Sequence, residues 1–304
     1  GRTDLAVNAY YGAGSEAGRV YIFNGGSIIT ENASGADSII TGEVSFDTFG
    51  SSLTSGDFNA DGRTDLAAGA SAYSTNTGRA YIFYNGSIAT ENASGADVIL
   101  KGETTSNYFG TSLASADFNA DGKIDLAVGA SGYSSSKGKT YFYTFNDPVI
   151  TGGETGAQFG WSLVSGDFNA DGRTDLVVGA NGYSSSTGRA YVFYNDGTVP
   201  SAVASADAII TGEASSNNFG YHLVAGDFNA DGRTDLAVGA PYYSTYTGRT
   251  YLFYGDGSIP TTAATADITI TGETTFNYLG ISLQSADLNA DGRTDLVAGA
   301  YGYS

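Results

Sequence analysis

The stretch Asp167-Phe168-Asn169-Ala170-Asp171-Gly172-Arg173-Thr174-Asp175, followed at once by Leu176-Val177-Val178-Gly179-Ala180, decides the architecture of this chain. The phrase Asp-x-Asn-x-Asp-Gly-x-x-Asp occurs five times, at 57–65, 117–125, 167–175, 227–235 and 287–295. Half of a sixth copy opens the sequence as Gly1-Arg2-Thr3-Asp4-Leu5-Ala6-Val7. The last Asp of each copy falls at 4, 65, 125, 175, 235 and 295, which gives spacings of 61, 60, 50, 60 and 60 residues. Repetition at a long fixed period outranks chain length as a guide to domain organisation.

Each period reads as four strand-like pieces. Phe-Gly-x-x-Leu-x-x-x-Asp-Phe comes first, as at Phe49 to Phe58 and Phe219 to Phe228. The acidic phrase and Asp-Leu-Ala-Val-Gly-Ala follow, then a polar loop such as Ser131 to Ser136. The sharply alternating Gly188 to Phe193 exemplifies the third piece, and Ala208 to Glu213 the fourth. Period-two alternation with breakers every eight to fifteen residues predicts β-structure throughout, and no window sustains a helical period. Four strands in a repeat of about sixty residues predict one propeller blade each, in an all-β propeller of antiparallel blades. We read residues 1–304 as a single propeller domain. Its blades are 1–48 (partial), 49–108, 109–158, 159–218, 219–278 and 279–304 (partial). The third is ten residues short because Thr144 to Pro148 replaces a longer connection. Blade one lacks its first strand, the sixth stops after its second, and the opening falls in mid-motif. These ends predict a processed product or a fragment of a larger, seven-bladed propeller.

Composition agrees with this reading. Glycine is heavy at 44, proline sparse at 4, and the chain carries 22 Tyr and 16 Phe. That mix suits short strands, tight turns and aromatic packing on pleated faces. There is no cysteine, which excludes disulfides, thiolate zinc sites and a cysteine nucleophile. No apolar stretch reaches the length of a membrane helix. The formal charge is −19, and half of the 32 acidic residues lie in the repeated phrase. So acidic a chain repels nucleic-acid backbone and anionic membrane, and we expect neither nucleic-acid binding nor membrane insertion.

The phrase has the pattern of a hard-cation loop. Oxygen side chains at positions 1, 3, 5 and 9 surround a glycine turn at position 6, and the carbonyl of position 7 adds a ligand. The predicted ligand sets are Asp57, Asn59, Asp61, Arg63 and Asp65; Asp117, Asn119, Asp121, Lys123 and Asp125; Asp167, Asn169, Asp171, Arg173 and Asp175. Two more are Asp227, Asn229, Asp231, Arg233 and Asp235, and Asp287, Asn289, Asp291, Arg293 and Asp295. Arginine and lysine enter through their main-chain oxygens. Position 12 is Ala68, within a strand, so these are not EF-hands, and the helix-flanked dockerin loop is excluded likewise. A mere turn needs Asn-Gly or Asp-Gly and has no use for a further Asp at position 9 in every copy. A flexible cage supplied by the protein suits Ca²⁺ better than Mg²⁺, with about five ions per chain and affinity near 10⁻⁴ M. Five divalent ions would bring −19 to −9.

These residues resemble FG-GAP repeats, those of the integrin α-subunit propeller and its bacterial surface-protein relatives. Phe49-Gly50, Phe109-Gly110, Phe159-Gly160 and Phe219-Gly220 carry the naming pair, with Leu279-Gly280 as a drift. Gly-Ala-Pro is literal only at Gly239-Ala240-Pro241. The resemblance implies a propeller, usually seven-bladed, with calcium between first and second strands and binding work on the opposite face. It also implies an extracellular or cell-surface protein, secreted, with a role in adhesion.

On that opposite face the sequence offers Tyr73, Tyr133, Tyr183 and Tyr243 with Asn107, Asn217 and Asn277 as contact residues. Repetition favours a packing role for the tyrosines. The residue after each Phe-Gly or Leu-Gly varies inside a repeated frame: Ser51, Thr111, Trp161, Tyr221 and Ile281. Trp161, Tyr221 and His222, with Tyr133, Tyr183 and Tyr243, are therefore the candidate ligand-binding residues, for protein or glycan. A lone His is more often structural than catalytic, and no nucleophile or paired-acid constellation recurs beside it, so no enzymatic activity is expected. The alternative is a structural subunit of a surface layer or extracellular filament, self-associating through its blade edges. Asn32, Asn85 and Asn92 fit the glycosylation pattern, which arises easily by chance in a Ser-rich chain.

Overall fold

A computed structural model of the chain describes residues 4–9, 17–25, 32–84, 88, 90–143, 148–256 and 259–302. Gly1 to Thr3, the potential sequon at Asn85 and most of the short connection at 144–148 lie outside the described residues.

Alternating sequences form short antiparallel strands joined in chain order. The first sheet holds β1 (Leu5–Ala9), β2 (Arg19–Phe23) and β3 (Ser38–Thr41). Next come β4 (Leu53–Gly56), β5 (Asp65–Ala70), β6 (Arg79–Phe83), the two-residue β7 (Glu91–Asn92) and β8 (Val98–Lys101). The third sheet is β9 (Phe109–Ala116), β10 (Asp125–Ala130), β11 (Lys139–Tyr143) and β12 (Val149–Thr151). The fourth is β13 (Ser162–Gly166), β14 (Asp175–Ala180), β15 (Arg189–Phe193) and β16 (Ala208–Thr211). β17 (Leu223–Gly226), β18 (Asp235–Ala240), β19 (Arg249–Phe253) and β20 (Ile268–Thr271) make the fifth. β21 (Ser282–Ala286) and β22 (Asp295–Gly299) pair as the last. β7 leaves its own repeat and pairs in parallel with β3, so among the described residues five of the six sheets have four strands. Among the described residues β1 and β22 each pair on one side only and stand in separate sheets.

The core lies between sheets. Phe118, Phe142 and Ile150 of the third pack with Leu176, Val178 and Phe193 of the fourth. Phe168 and Val192 of the fourth meet Val238 and Phe253 of the fifth in the same way. Every residue of β5, β10, β14 and β18 is buried. A second strand with a neighbouring sheet on both faces reads as the continuous apolar run Leu-Ala/Val-Ala/Val-Gly-Ala. Gly129 permits the approach, since a Cβ there would lie 2.0 Å from the Gly160 carbonyl oxygen.

The Phe-Gly pairs correct one expectation. They do not open a long first strand in most repeats: the strands are Leu53–Gly56 and Leu223–Gly226, where Phe49 to Phe58 and Phe219 to Phe228 were expected. Gly50 (φ +85°) and Gly220 (φ +84°) turn the chain out of the extended region. The phenylalanine plugs the interface instead, edge-on to a tyrosine of the following sheet's third strand. Ring centroids are 5.5 Å apart for Phe49–Tyr81 and 5.2 Å for Phe109–Tyr141, a favourable quadrupole geometry.

Consecutive antiparallel strands send their connections to alternate ends. The acidic loops, between first and second strands, all emerge at one end of the wheel. The connections from second to third strand, and from one blade to the next, emerge at the other.

Candidate functional site

At the acid-loop end the five copies share one hydrogen-bond pattern. Asp167 accepts from the amides of Asp171 (3.1 Å) and Gly172 (2.9 Å), Asn169 Oδ1 from Asp171 (3.0 Å), and Asp171 from Arg173 (2.9 Å). The loops at Asp57, Asp117, Asp227 and Asp287 repeat these bonds. Three side chains at positions 1, 3 and 5 are thereby fixed to the loop's own backbone. Gly62, Gly122, Gly172, Gly232 and Gly292 sit at φ between +83° and +86° with nothing within 4 Å of a Cβ, so conformation, not space, requires glycine.

The ninth position differs in burial. Asp65, Asp125, Asp175 and Asp235 are at most 4% exposed. Asp175 accepts from Phe168 N (2.8 Å) and Asn195 N (2.8 Å), joining the acid loop to the turn after β15. Burial pushes Asp125 and Asp175 up to about 6, with Asp117 and Asp121, or Asp167 and Asp171, adding like-charge repulsion. Asp235 is raised for the same reason. A carboxylate buried in its fold and repelled by two acids of its own loop carries a charge that a divalent cation would neutralise. Among the described residues no three acidic side chains already converge as a closed cage. One predicted ligand in each loop is an amide and one a main-chain carbonyl. The donors are all oxygen, and Asp57, Asn59, Asp61, Asp65 and the Arg63 carbonyl, with their counterparts, are the groups that would hold the ion.

The other end repeats a backbone device that local sequence patterns hide. Residues 74–76, 134–136, 184–186 and 244–246 all have positive φ, three successive left-handed residues without a glycine. Each such residue costs about 1 kcal/mol or more, so a run persists only where its surroundings over-determine it. Here the turn's carbonyls accept amides from the connection to the next blade. Ser135, Ser136 and Lys137 receive Gly156 (3.1 Å), Gln158 (2.8 Å) and Phe159 (3.2 Å). The same triplet of bonds recurs at the other three turns, so each left-handed turn latches one blade to the next.

The repeated tyrosines belong to this latch. Arg79, Lys139, Arg189 and Arg249 lie 3.7, 3.8, 3.5 and 3.7 Å from the ring centres of Tyr73, Tyr133, Tyr183 and Tyr243. Each cation–π stack is worth about 0.5–1 kcal/mol at such a half-exposed place. Arg79 and Lys139 also pair with Glu43 and Glu103 of the preceding inter-blade connection. The geometry gives these tyrosines a packing role. Asn107, Asn217 and Asn277, expected as contact residues, are at most 7% exposed, because each sits beneath its own inter-blade loop. Asn277 Oδ1 accepts the amides of Glu273 (2.8 Å) and Thr274 (2.9 Å) there.

Trp161 and Tyr221 do meet, with ring centroids 5.3 Å apart. They begin a chain of aromatics that the sequence reading missed. Tyr221 reaches Tyr242 (6.0 Å), which contacts Tyr246 (5.4 Å) and Tyr278 (5.9 Å). Phe276 stacks on Tyr246 (5.6 Å), and Tyr301 on Tyr278 (4.7 Å, planes 10° apart). Tyr246 is 42% exposed, Phe276 51% and Tyr301 68%. A cleft of about 380 Å³ opens beside them, lined by Ser186, Ser216, Asn218, Tyr242 and Tyr246. His222 follows Tyr221 in the chain. Its Nδ1 is buried without a partner among the described residues, and burial pulls its pKa below 6.5, so the ring is neutral at pH 7. The signal that could have exposed this ridge is departure from the repeat: Tyr242 stands where other repeats have Ala72, Gly132 or Gly182, and Tyr246 where they have Asn76, Ser136 or Ser186.

The chain is similar to phosphatidylinositol-glycan-specific phospholipase D of Bos taurus, 39% identical over 63% of this chain and 18% of that enzyme. It is also similar to integrin alpha-M of Mus musculus, 45% identical over 28% of this chain and 8% of that protein. It thus spans less than a fifth of the length of either. Among solved structures the V. cholerae biofilm matrix protein Bap1 aligns over 89% of this chain and 36% of that one, at 15% identity and a TM-score of 0.46. The FG-GAP repeat model matches residues 49–83, 109–143, 159–193, 219–253 and 279–304, each running from a Phe-Gly or Leu-Gly pair through an acidic loop. With more than half of its length in those five matches, the chain belongs to the FG-GAP repeat family.

Proposed function

We propose that this chain is a calcium-binding extracellular propeller that works as a recognition or adhesion module for a protein or glycan. The division between its two ends carries the reading. One end repeats the same oxygen donors five times, as a structural ion site must if it serves every blade alike. The other repeats its backbone and its tyrosine–cation stacks but varies the exposed aromatics around them, as a surface selected for a ligand does. The likeness to an integrin α-subunit supports the same assignment. No helix among the described residues is long and apolar enough to cross a membrane.

Calcium bound at Asp167, Asn169, Asp171, Asp175 and the Arg173 carbonyl, and at the four equivalent loops, would neutralise buried acids and tie first strand to second. Titration of chelator-treated protein with calcium, read by calorimetry and by melting temperature, tests this half. Absence of uptake together with an unchanged melting temperature would remove it.

The recognition half is non-enzymatic in our reading. The phospholipase likeness covers 18% of that enzyme, and the repeated acids of this chain are committed to their loops. Incubation with a phosphatidylinositol-glycan substrate should release product only at background. Self-association through the one-sided edges of β1 and β22 is the second reading. It requires light scattering that rises with protein concentration.

A further inference from the structure

The aromatic ridge has a cost that packing does not return. Tyr246, Phe276 and Tyr278 all lie in the left-handed region, at φ +61°, +64° and +58°. The repeated latch imposes that conformation. Where Tyr246 stands other repeats have Asn76, Ser136 and Ser186, and where Phe276 stands they have Phe46, Ser106, Gly156 and Ser216. Where Tyr278 stands they have Thr48, Tyr108, Gln158 and Asn218. A bulky ring at such a position is rarer and dearer than serine. Its recompense is ordinarily burial, yet Tyr246 and Phe276 leave much of their surface in water. Phe46 shows such strain singly, but here it is gathered with Tyr242 and Tyr301 into one exposed aromatic cluster, which points to work done on something outside the fold.

We propose that this ridge and its cleft bind a neutral oligosaccharide, an assignment that rests on the recognition reading above. The chemistry of the lining selects this class. The C–H faces of hexose rings are apolar and stack on aromatic planes, while their rims carry hydroxyls that need donors and acceptors. Tyr246 and Phe276 stack on one another with planes 22° apart, offering flat surface at the rim. Ser186, Ser216 and Asn218 supply hydroxyl and amide groups beside it. None of the five lining side chains is charged, and a chain of net charge −19 disfavours an anionic ligand. The platform is rigid: the Tyr278 amide donates to the Tyr246 carbonyl at 2.8 Å, so the two backbones cannot drift apart. Little ordering entropy is then left for a ligand to offset, which suits a weakly binding sugar.

The test uses the full chain in calcium, with maltohexaose, cellohexaose and β-1,4-galactohexaose as neutral probes and polygalacturonate as the anionic one. Binding is read by calorimetry and by Trp161 fluorescence. At least one neutral oligomer should bind with a dissociation constant of about 1 mM or tighter. Tyr246→Ser and Phe276→Ser place at those positions the residue that other repeats already use, so the fold tolerates them. Each should weaken binding at least about tenfold while leaving the melting temperature equal or higher. Tyr108→Ala, the counterpart of Tyr278 in another latch, should leave binding unchanged. Failure of all three neutral oligomers to bind folded wild-type protein overturns the proposal. So does binding that survives both serine variants, or binding of polygalacturonate alone. Capture of a protein partner that persists in both serine variants, without sugar binding, also overturns it while leaving the broader recognition reading intact.

Discussion

The two ends of the wheel treat the same glycine differently. At the acid-loop end Gly122 (φ +85°) faces open space, so its role is confined to one turn. At the latch end Gly138 (φ +81°) would place a Cβ 2.0 Å from the Phe159 carbonyl oxygen and 2.4 Å from its nitrogen. At one end the side chains at positions 1, 3 and 5 of each loop close on the loop's own amides, and the ninth-position Asp ties it to its sheet. The other is built from contacts between blades. The first repeats its oxygen donors residue by residue, whereas the second repeats its tyrosine–cation stacks and varies the side chains around them.

The sharpest way to break this comparison is one substitution made at both ends. Gly138→Ala should cost more than about 4 kcal/mol, or prevent folding, because backbone stands where the methyl must go. Gly122→Ala should cost only about 1 kcal/mol, plus calcium affinity at its own loop. Chemical denaturation measures both, and equal losses would erase the distinction. Calcium removal comes next. Ion at a hundred times its dissociation constant stabilises by about 2.7 kcal/mol per site, so chelation should lower the melting temperature by several degrees. Asp175→Asn should lose one site's share.

The ends should also answer pH with opposite signs. Asp125 and Asp175 titrate near 6 when folded, above their unfolded value of 3.8. Metal-free protein therefore holds extra protons between roughly pH 4 and 6, and loses that stability as pH rises through 6. The folded pKa of His222 lies below 6.5, so the unfolded chain takes that proton first and stability falls as pH drops below 6.5. Melting curves of chelated protein from pH 4 to 8 should show both arms. Asp175→Asn should flatten the first and His222→Gln the second. The smallest effect is expected at Tyr183→Leu, which removes one cation–π stack worth about 0.5–1 kcal/mol and should leave calcium uptake unchanged.

Much of the wheel was legible in the chain because its signals are local. Asp-x-Asn-x-Asp-Gly fits in six residues, and the buried second strand advertises itself as an apolar run. Phe49 and Phe219 were legible as repeated landmarks but not as plugs, because their partners Tyr81 and Tyr251 come about thirty residues later. The latch stayed hidden for another reason. Ser134-Ser135-Ser136 reads as a nondescript polar loop, and residue preference gives no warning of three left-handed residues in a row. The aromatic ridge draws on residues from 161 to 301; Trp161 and Tyr221 stand out in the chain, whereas Tyr242, Tyr246 and Phe276 are conspicuous only against their counterparts about sixty residues away.

The parallel pairing of β7 with β3 has a bearing on how the wheel is made. Ile40 waits for Glu91 and Thr211 for Thr262, in each case fifty-one residues further along. Asn92 then closes the clasp by donating to the Gly42 carbonyl at 3.1 Å, which commits the amide of that potential sequon. As the chain leaves the ribosome, a clasped blade's outer edge stays open until most of its successor has been synthesised. In these two blades the arriving repeat finishes the one before it, so their outer edges are covered in the order of translation.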